Sequence, residues 1–337
     1  MTRDLDPGLR LVEGGVSAAQ GFLAGSISCG IKSDASTPDL AMLVADRPCT
    51  TAATFTTSKT ASHTVRVCKE HLAATGYRAQ AVVVNSGNAN CSNGERGYRD
   101  AEQMALLAAA RLEISDPNLV MVSSTGIIGR PLPMDRVEDG ISRVQFSASG
   151  GPEFAQGIMT TDTRPKTVAV EFEAGGQVVR LGGSTKGVGM IYPNMATMLC
   201  YLTTDADVEP AFLQEAMRSA VSNSFNMVCV DGDMSTNDSA FALANGQAGN
   251  KTLRADVPGA ETFVKALRYV TRYLGREMAR DGEGATKLMI VNVHHGYSDA
   301  DARRAARAIT NSSIWKCAVA GGDPNWGRLI AALGASG

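Results

Sequence analysis

Twice in its first half the sequence runs from a short apolar segment through a polar, glycine-bearing turn into a helical pattern. Ala79-Gln80-Ala81-Val82-Val83-Val84 stops at Asn85-Ser86-Gly87-Asn88-Ala89-Asn90, and a helix is expected from about Tyr98 to Leu112. Asn118–Ser123 leads through Ser124-Thr125-Gly126-Ile127-Ile128-Gly129-Arg130-Pro131 into a second helix, from Met134 to about Val144. Strand, turn and helix in that order are the unit of an α/β layer, so the repetition fixes the fold class. Both turns stand just before helices, where backbone N–H groups are exposed toward an anion or a developing oxyanion. A tight turn with a helix cap accounts for either turn alone.

The other segments extend this pattern. Ser26–Ile31 alternates as a strand. Ala41–Ala45 and His63–Cys68 flank the threonine-rich stretch 50–60, where β-branching favours strands and their turns over helix. Thr167–Glu173 and Gln177–Leu181 read as a hairpin closed by Ala174-Gly175-Gly176. A helix is expected over Pro210–Asn223, a buried strand over Met227–Val230, and a polar loop at Asp231–Asp238. Phe263, Leu267, Val270, Leu274 and Met278 recur at helical steps between Ala260 and Ala279, and Gly282 and Gly284 then break the helix before a strand at 287–293. A last helix spans about Asp299–Ile309, ahead of a short apolar tail.

Composition narrows the partners. With 32 Lys+Arg against 34 Asp+Glu there is no electrostatic case for nucleic acid or an anionic membrane. The absence of a spanning apolar run and the acidic start Met1–Asp6 lead to the expectation of a soluble, cytoplasmic chain. Seven single cysteines with no C-x-x-C point to reduced thiols rather than disulfides or zinc. Four histidines, with His294-His295 expected on opposite faces of a strand, leave little to bind a metal or serve as a base. Gly182-Gly183-Ser184-Thr185-Lys186-Gly187 lacks Walker order, and the calcium-like loop at Asp231–Asp238 lacks its glutamate. No metal and no cofactor is expected.

What remains is a nucleophile independent of histidine. Lys186-Gly187-Val188-Gly189-Met190-Ile191-Tyr192-Pro193-Asn194-Met195-Ala196-Thr197 runs from a glycine turn to a threonine at the mouth of a β-type segment. Threonines opening strands are common. Cutting the Ala196–Thr197 bond, however, would free an α-amine of pKa about 7.7–8.0, able to take the hydroxyl proton. Thr197 would then carry its own base.

The stretch 186–206 closely resembles the self-cleavage motif of the ornithine acetyltransferase family, the bifunctional glutamate N-acetyltransferases of arginine biosynthesis. Val83–Asn90, Ser123–Gly129, Ile158–Thr163, Ser235–Asp238, Asp281–Lys287 and Gly322–Arg328 resemble that family's other blocks in the same order. The resemblance implies a layered αββα-type sandwich of mixed sheets with an N-terminal-nucleophile arrangement. It implies self-cleavage into an α chain, 1–196, and a β chain, 197–337, with a C-terminal domain from about 288, associated as an α2β2 heterotetramer. The implied reaction is ping-pong transfer of acetyl from N2-acetylornithine to glutamate through an ester on Thr197, with acetyl-CoA accepted as a further donor by some members. Thr125 and the Gly126 N–H would form the oxyanion hole. Thr161, Lys186, Thr197 and Glu283 match substrate-binding positions, with Lys186 suited to a carboxylate and Glu283 to an ammonium.

Members of the family continue past the Gly322–Arg328 block into a segment whose Asn and Ser/Thr complete the substrate site, whereas the sequence here stops at Gly337. Two other readings remain open at this stage. One is a self-processing aminopeptidase or amidase on a related scaffold, with water as the acyl acceptor. The other is a truncated, uncleaved relative without activity.

Overall fold

The structure, a computed structural model, describes residues 5–192 and 198–336. Nine strands are hydrogen-bonded into one mixed sheet among them. In chain order the elements are β1 (Arg10–Val12), β2 (Phe22–Ile27), β3 (Leu40–Phe55), α1 (His63–Ala74), β4 (Arg78–Asn88), α2 (Gly94–Arg111), β5 (Val120–Ile127), α3 (Met134–Arg143) and α4 (Gly151–Gly157). They continue as β6 (Lys166–Ala174), β7 (Gln177–Lys186), β8 (Leu199–Thr204), α5 (Pro210–Ser222), β9 (Ser239–Ala244), α6 (Ala260–Arg280), α7 (Asp299–Asn311), α8 (Ser313–Gly321) and α9 (Trp326–Gly334).

The sheet order is β1-β6-β7-β8-β9-β3-β4-β5, with β2 beside β3. β3 joins the two halves: residues 40–45 pair with β2, residues 50–55 pair with β9, and the pairing with β4 shifts register between Val44 and Cys49. Such an irregularity bends a strand. Each half contains one parallel pair spanned by a helix, β4-α2-β5 and β8-α5-β9. Side-chain alternation along β8 and β9 separates two cores. Leu199, Tyr201, Phe241 and Leu243 join the core of β2–β5 and α1–α4, while Cys200, Leu202, Ala240 and Ala242 face α5 and α6 in the other. The result is the expected layered α/β architecture.

The segment 63–68 is a helix and not the expected strand. Thr64, Val65, Val67, Cys68 and Leu72 are buried, a helical stripe that emerges only when the segment is read on to Leu72. Burial against β5, where Cys68 Sγ donates to Val122 O at 3.1 Å, outweighs the few tenths of a kcal/mol per residue by which β-branching disfavours helix. The expected strand at 227–230 is instead a 3-10 turn, Phe225–Met227, followed by extended chain joined to Ile191 O through the Val230 N–H. The expected strand at 287–293 is not a strand and has no ladder partner among the described residues. The expected strand at 26–31 lies earlier, as β2. β9 carries alternate alanines, poor strand formers that gave no β signal, and it is a strand because both its faces are buried. The closing tail folds as α8 and α9. All seven cysteines are free thiols, with Cys317 exposed. No helix among the described residues is long and apolar enough to cross a membrane.

Candidate active site

Thr125 and Gly126 stand at the end of β5, in register with Ser86 and Gly87 of β4. Gly126 has φ +133°, and a Cβ there would lie 2.3 Å from the Gly87 carbonyl carbon and 2.6 Å from Asn88 N. Only glycine tolerates that backbone and that approach. Polar side chains secure the turn: Ser124 Oγ donates to Asn85 Oδ1 at 2.6 Å, and Asn237 Nδ2 donates to Ser124 O and Ala89 O at 2.7 Å each.

Lys186 ends β7, opposite Leu199 of β8, and its Nζ donates to Thr125 Oγ1 at 3.1 Å. An ammonium only donates, so Thr125 accepts here and keeps its own hydroxyl proton for another acceptor. Both side chains are buried. Burial drives the Lys186 pKa below its ordinary value, with Asp162 and Asp238 acting in the opposite direction.

Thr161 and Glu283 meet in a second contact, where the Thr161 hydroxyl donates to Glu283 Oε1 at 2.6 Å. The Glu283 N–H donates to Val188 O at 2.8 Å, and Gly189 leaves room for the Glu283 carboxylate, which a Cβ would approach to 2.7 Å. The glycine turn after Lys186 is thereby packed onto the glycine turn after α6. Glu283 also lines a cavity of about 900 Å³ between α6 and residues 285–292.

Asp162 lies between the two contacts. Its Oδ1 accepts from Gly187 N at 3.0 Å and from Lys166 Nζ at 2.6 Å. Burial opposes its ionisation, but Lys186, Lys166 and the Gly187 N–H outweigh burial and hold its pKa below the ordinary value. Asp238, which also acts on Lys186, accepts at Oδ1 from Met198 N at 2.8 Å, while its Oδ2 is buried without a hydrogen-bond partner among the described residues. Burial pushes its pKa well above the usual aspartate value.

Thr125, Gly126, Lys186, Thr161 and Glu283 thus form two linked contacts. Ala196 and Thr197 lie outside the described residues, whose flanks are Ile191 and Tyr192 on one side and Met198 on the other. Sequence reading gave no role to Asp162, Lys166, Asp281 or Asp238. The available signal was their position inside or beside the motif blocks. No group of three or more His, Cys, Asp or Glu among the described residues is placed to hold a metal. His63 and His71 belong to α1, and His294 and His295 are exposed.

The sequence model of the ArgJ family matches residues 23–337. The arginine biosynthesis bifunctional protein ArgJ of Symbiobacterium thermophilum is 50% identical over 327 residues, 96% of this chain and 81% of that protein. The protein of the same name from Thermus thermophilus is 47% identical over 322 residues, again 96% and 81%. Among solved structures, ArgJ of Bacillus halodurans superposes with TM-score 0.53 and 38% identity, covering 56% of this chain and 98% of its own. Ornithine acetyltransferase of Mycobacterium tuberculosis, complexed with ornithine, gives TM-score 0.50 and 32% identity over 57% of this chain and 100% of its own. On the extent and identity of these matches, the chain belongs to the ArgJ family.

Proposed function

We propose that this chain cuts itself at Ala196–Thr197 and then transfers acetyl from N2-acetylornithine to glutamate. The observation that carries the reading is the Lys186–Thr125 hydrogen bond. It brings the oxyanion candidate to the end of β7, which pairs with Leu199, two residues beyond Thr197.

Thr197 Oγ attacks the Ala196 carbonyl, the C–N bond breaks as the ester forms and frees the Thr197 amine, and water then hydrolyses the ester to leave the Ala196 carboxylate and restore the Thr197 hydroxyl. That amine accepts the hydroxyl proton as Oγ attacks the acetyl carbonyl of the donor. The negative charge that develops on the carbonyl oxygen is met by the Thr125 O–H and the Gly126 N–H. Collapse expels ornithine, which leaves with the proton, and acetyl stays on Thr197 as an ester. The glutamate α-amine then attacks the ester, gives a proton to the Thr197 amine and departs acetylated. Lys186 pairs with a substrate carboxylate, and Glu283 with Thr161 receives the ornithine side-chain ammonium.

Residues 1–196 are the α chain and 197–337 the β chain, in an α2β2 assembly with a C-terminal domain from about 288. The solved relatives support this division. Their chains are matched almost entirely while covering 56–57% of this one, close to the 58% (196 of 337 residues) that precedes Thr197.

Intact-mass measurement of wild type and Thr197→Ala tests the cleavage, with two fragments expected for the first and one chain for the second. Acetyl transfer to glutamate is then assayed with N2-acetylornithine and with acetyl-CoA, beside hydrolysis of peptides and amides. A single full-length mass for wild type, or hydrolysis without transfer, sinks the proposal.

A further inference from the structure

Buried charge is not confined to Lys186 and Asp238: a cluster of three charged side chains lies beside the site. Lys166 Nζ lies 2.6 Å from Asp162 Oδ1 and 2.6 Å from Asp281 Oδ2, and none of the three side chains is more than 3% exposed. Asp162 accepts the N–H groups of Gly187 and Thr160, and Asp281 accepts the N–H and hydroxyl of Thr163. Every segment tied in this way adjoins a residue assigned to substrate. Asp162 follows Thr161, Gly187 follows Lys186, and Asp281 comes two residues before Glu283. A buried ion cluster adds little net stability, because desolvation offsets the Coulomb gain. What it supplies here is geometry, with the loop 160–163, the end of β7 and the end of α6 all held to one ammonium.

We propose that Lys166, through Asp162 and Asp281, is a positioning residue that fixes the Thr161–Glu283 pair relative to Lys186 and so sets recognition of the donor's side-chain ammonium. This rests on the acetyl-transfer reading above. The arm to Asp281 acts on Glu283, whereas the turn that carries Thr125 and Gly126 is held through the preceding Ser124, whose hydroxyl donates to Asn85 and whose carbonyl accepts from Asn237. Loosening that arm therefore weakens donor binding and leaves the chemistry at the β5 turn intact.

Lys166→Met takes the paired ammonium from the buried Asp281 and leaves Asp162 with Lys186 alone, and is prone to unfold, so the deciding variant is Asp281→Asn, which keeps the side-chain volume and an acceptor oxygen. The assay follows KM and kcat for N2-acetylornithine and, separately, the rate at which newly made precursor separates into two chains. Self-cleavage uses no donor, so it is the internal control. The expected result is a KM raised roughly ten- to hundredfold, with kcat and the cleavage rate each within about twofold of wild type. A parallel fall in kcat and cleavage, or no change in KM, overturns the positioning role. Wild type that cleaves but transfers no acetyl from N2-acetylornithine overturns the functional reading and this inference with it.

Discussion

The Lys186 ammonium donates to the Thr125 hydroxyl across a sheet in which their strands, β7 and β5, are separated by four others. In a flat sheet, five strand spacings would hold those strands about 24 Å apart. A 3.1 Å contact requires the sheet to fold over at β3 and bring its two halves together. Thr125→Val removes the hydroxyl and leaves the buried ammonium without that partner. Acetyl transfer is expected to fall by about 10²- to 10³-fold, the usual cost of an oxyanion donor, and Thr125→Ser to restore most of it. Steady-state assays on the cleaved enzyme check this, and a Thr125→Val enzyme with wild-type kcat would exclude Thr125 from the reaction.

How far the sequence leads depends on whether the signal is local. The β4-α2 and β5-α3 units, the hairpin of β6 and β7, and the apolar face of α6 are written in short-range periodicity, and all form, with α2 starting at Gly94 rather than at about Tyr98. The helix α1 was hidden because its buried stripe needs Leu72 to complete it, and β9 because its alanines become a strand only through burial on both faces. At the site, Thr125-Gly126 stood out as a strand-end turn. Its approach to Lys186 depends on the bend in β3, which no local pattern encodes. The Lys166 cluster joins positions more than 100 residues apart, so its three charges read separately as ordinary turn and strand residues.

Gly126→Ala tests whether the turn is needed for its shape. A side chain would have to adopt φ +133° and sit within 2.3 Å of the Gly87 carbonyl carbon. The strain is expected to cost at least about 1–3 kcal/mol, read as a lower thermal midpoint. Because the N–H at 126 turns with its peptide, acetyl transfer is expected to drop by more than the stability loss explains. A variant with wild-type melting and wild-type rate would show that the backbone there is free to move.

The Lys166 cluster also sets a pH dependence. Burial works against ionisation of Asp162 and Asp281, but their partners outweigh it and hold both pKa values below the ordinary 3.8. The unfolded chain therefore binds more protons than the folded one on the acid side. Stability from these groups is present above about pH 3.8 and is lost as pH falls through their folded pKa values. Thermal melts between about pH 2.5 and 7 should show a steep acid limb for wild type and a shallower one for Asp162→Asn. Equal slopes would mean that other carboxylates carry the acid transition.

Asp238 carries the opposite sign. Burial raises its pKa well above 3.8, against the lowering effects of the Met198 N–H, Lys186 and Ser235. The folded protein holds a proton there that the unfolded chain releases, so this contribution to stability declines as pH rises above 3.8 toward the folded value. Asn resembles the protonated acid and keeps an oxygen for the Met198 N–H. Asp238→Asn should therefore melt at or above the wild-type temperature at pH 8, with a smaller difference at pH 5. Asp238→Ala instead leaves the buried Met198 N–H unpaired, at a cost of about 1–3 kcal/mol. Met198 follows the proposed cleavage site directly, so the alanine variant is also expected to separate into two chains more slowly, while the asparagine variant keeps pace with wild type. If asparagine and alanine are equally destabilising at pH 8, the folded protein depends on the charged carboxylate, and the protonated reading of Asp238 is wrong.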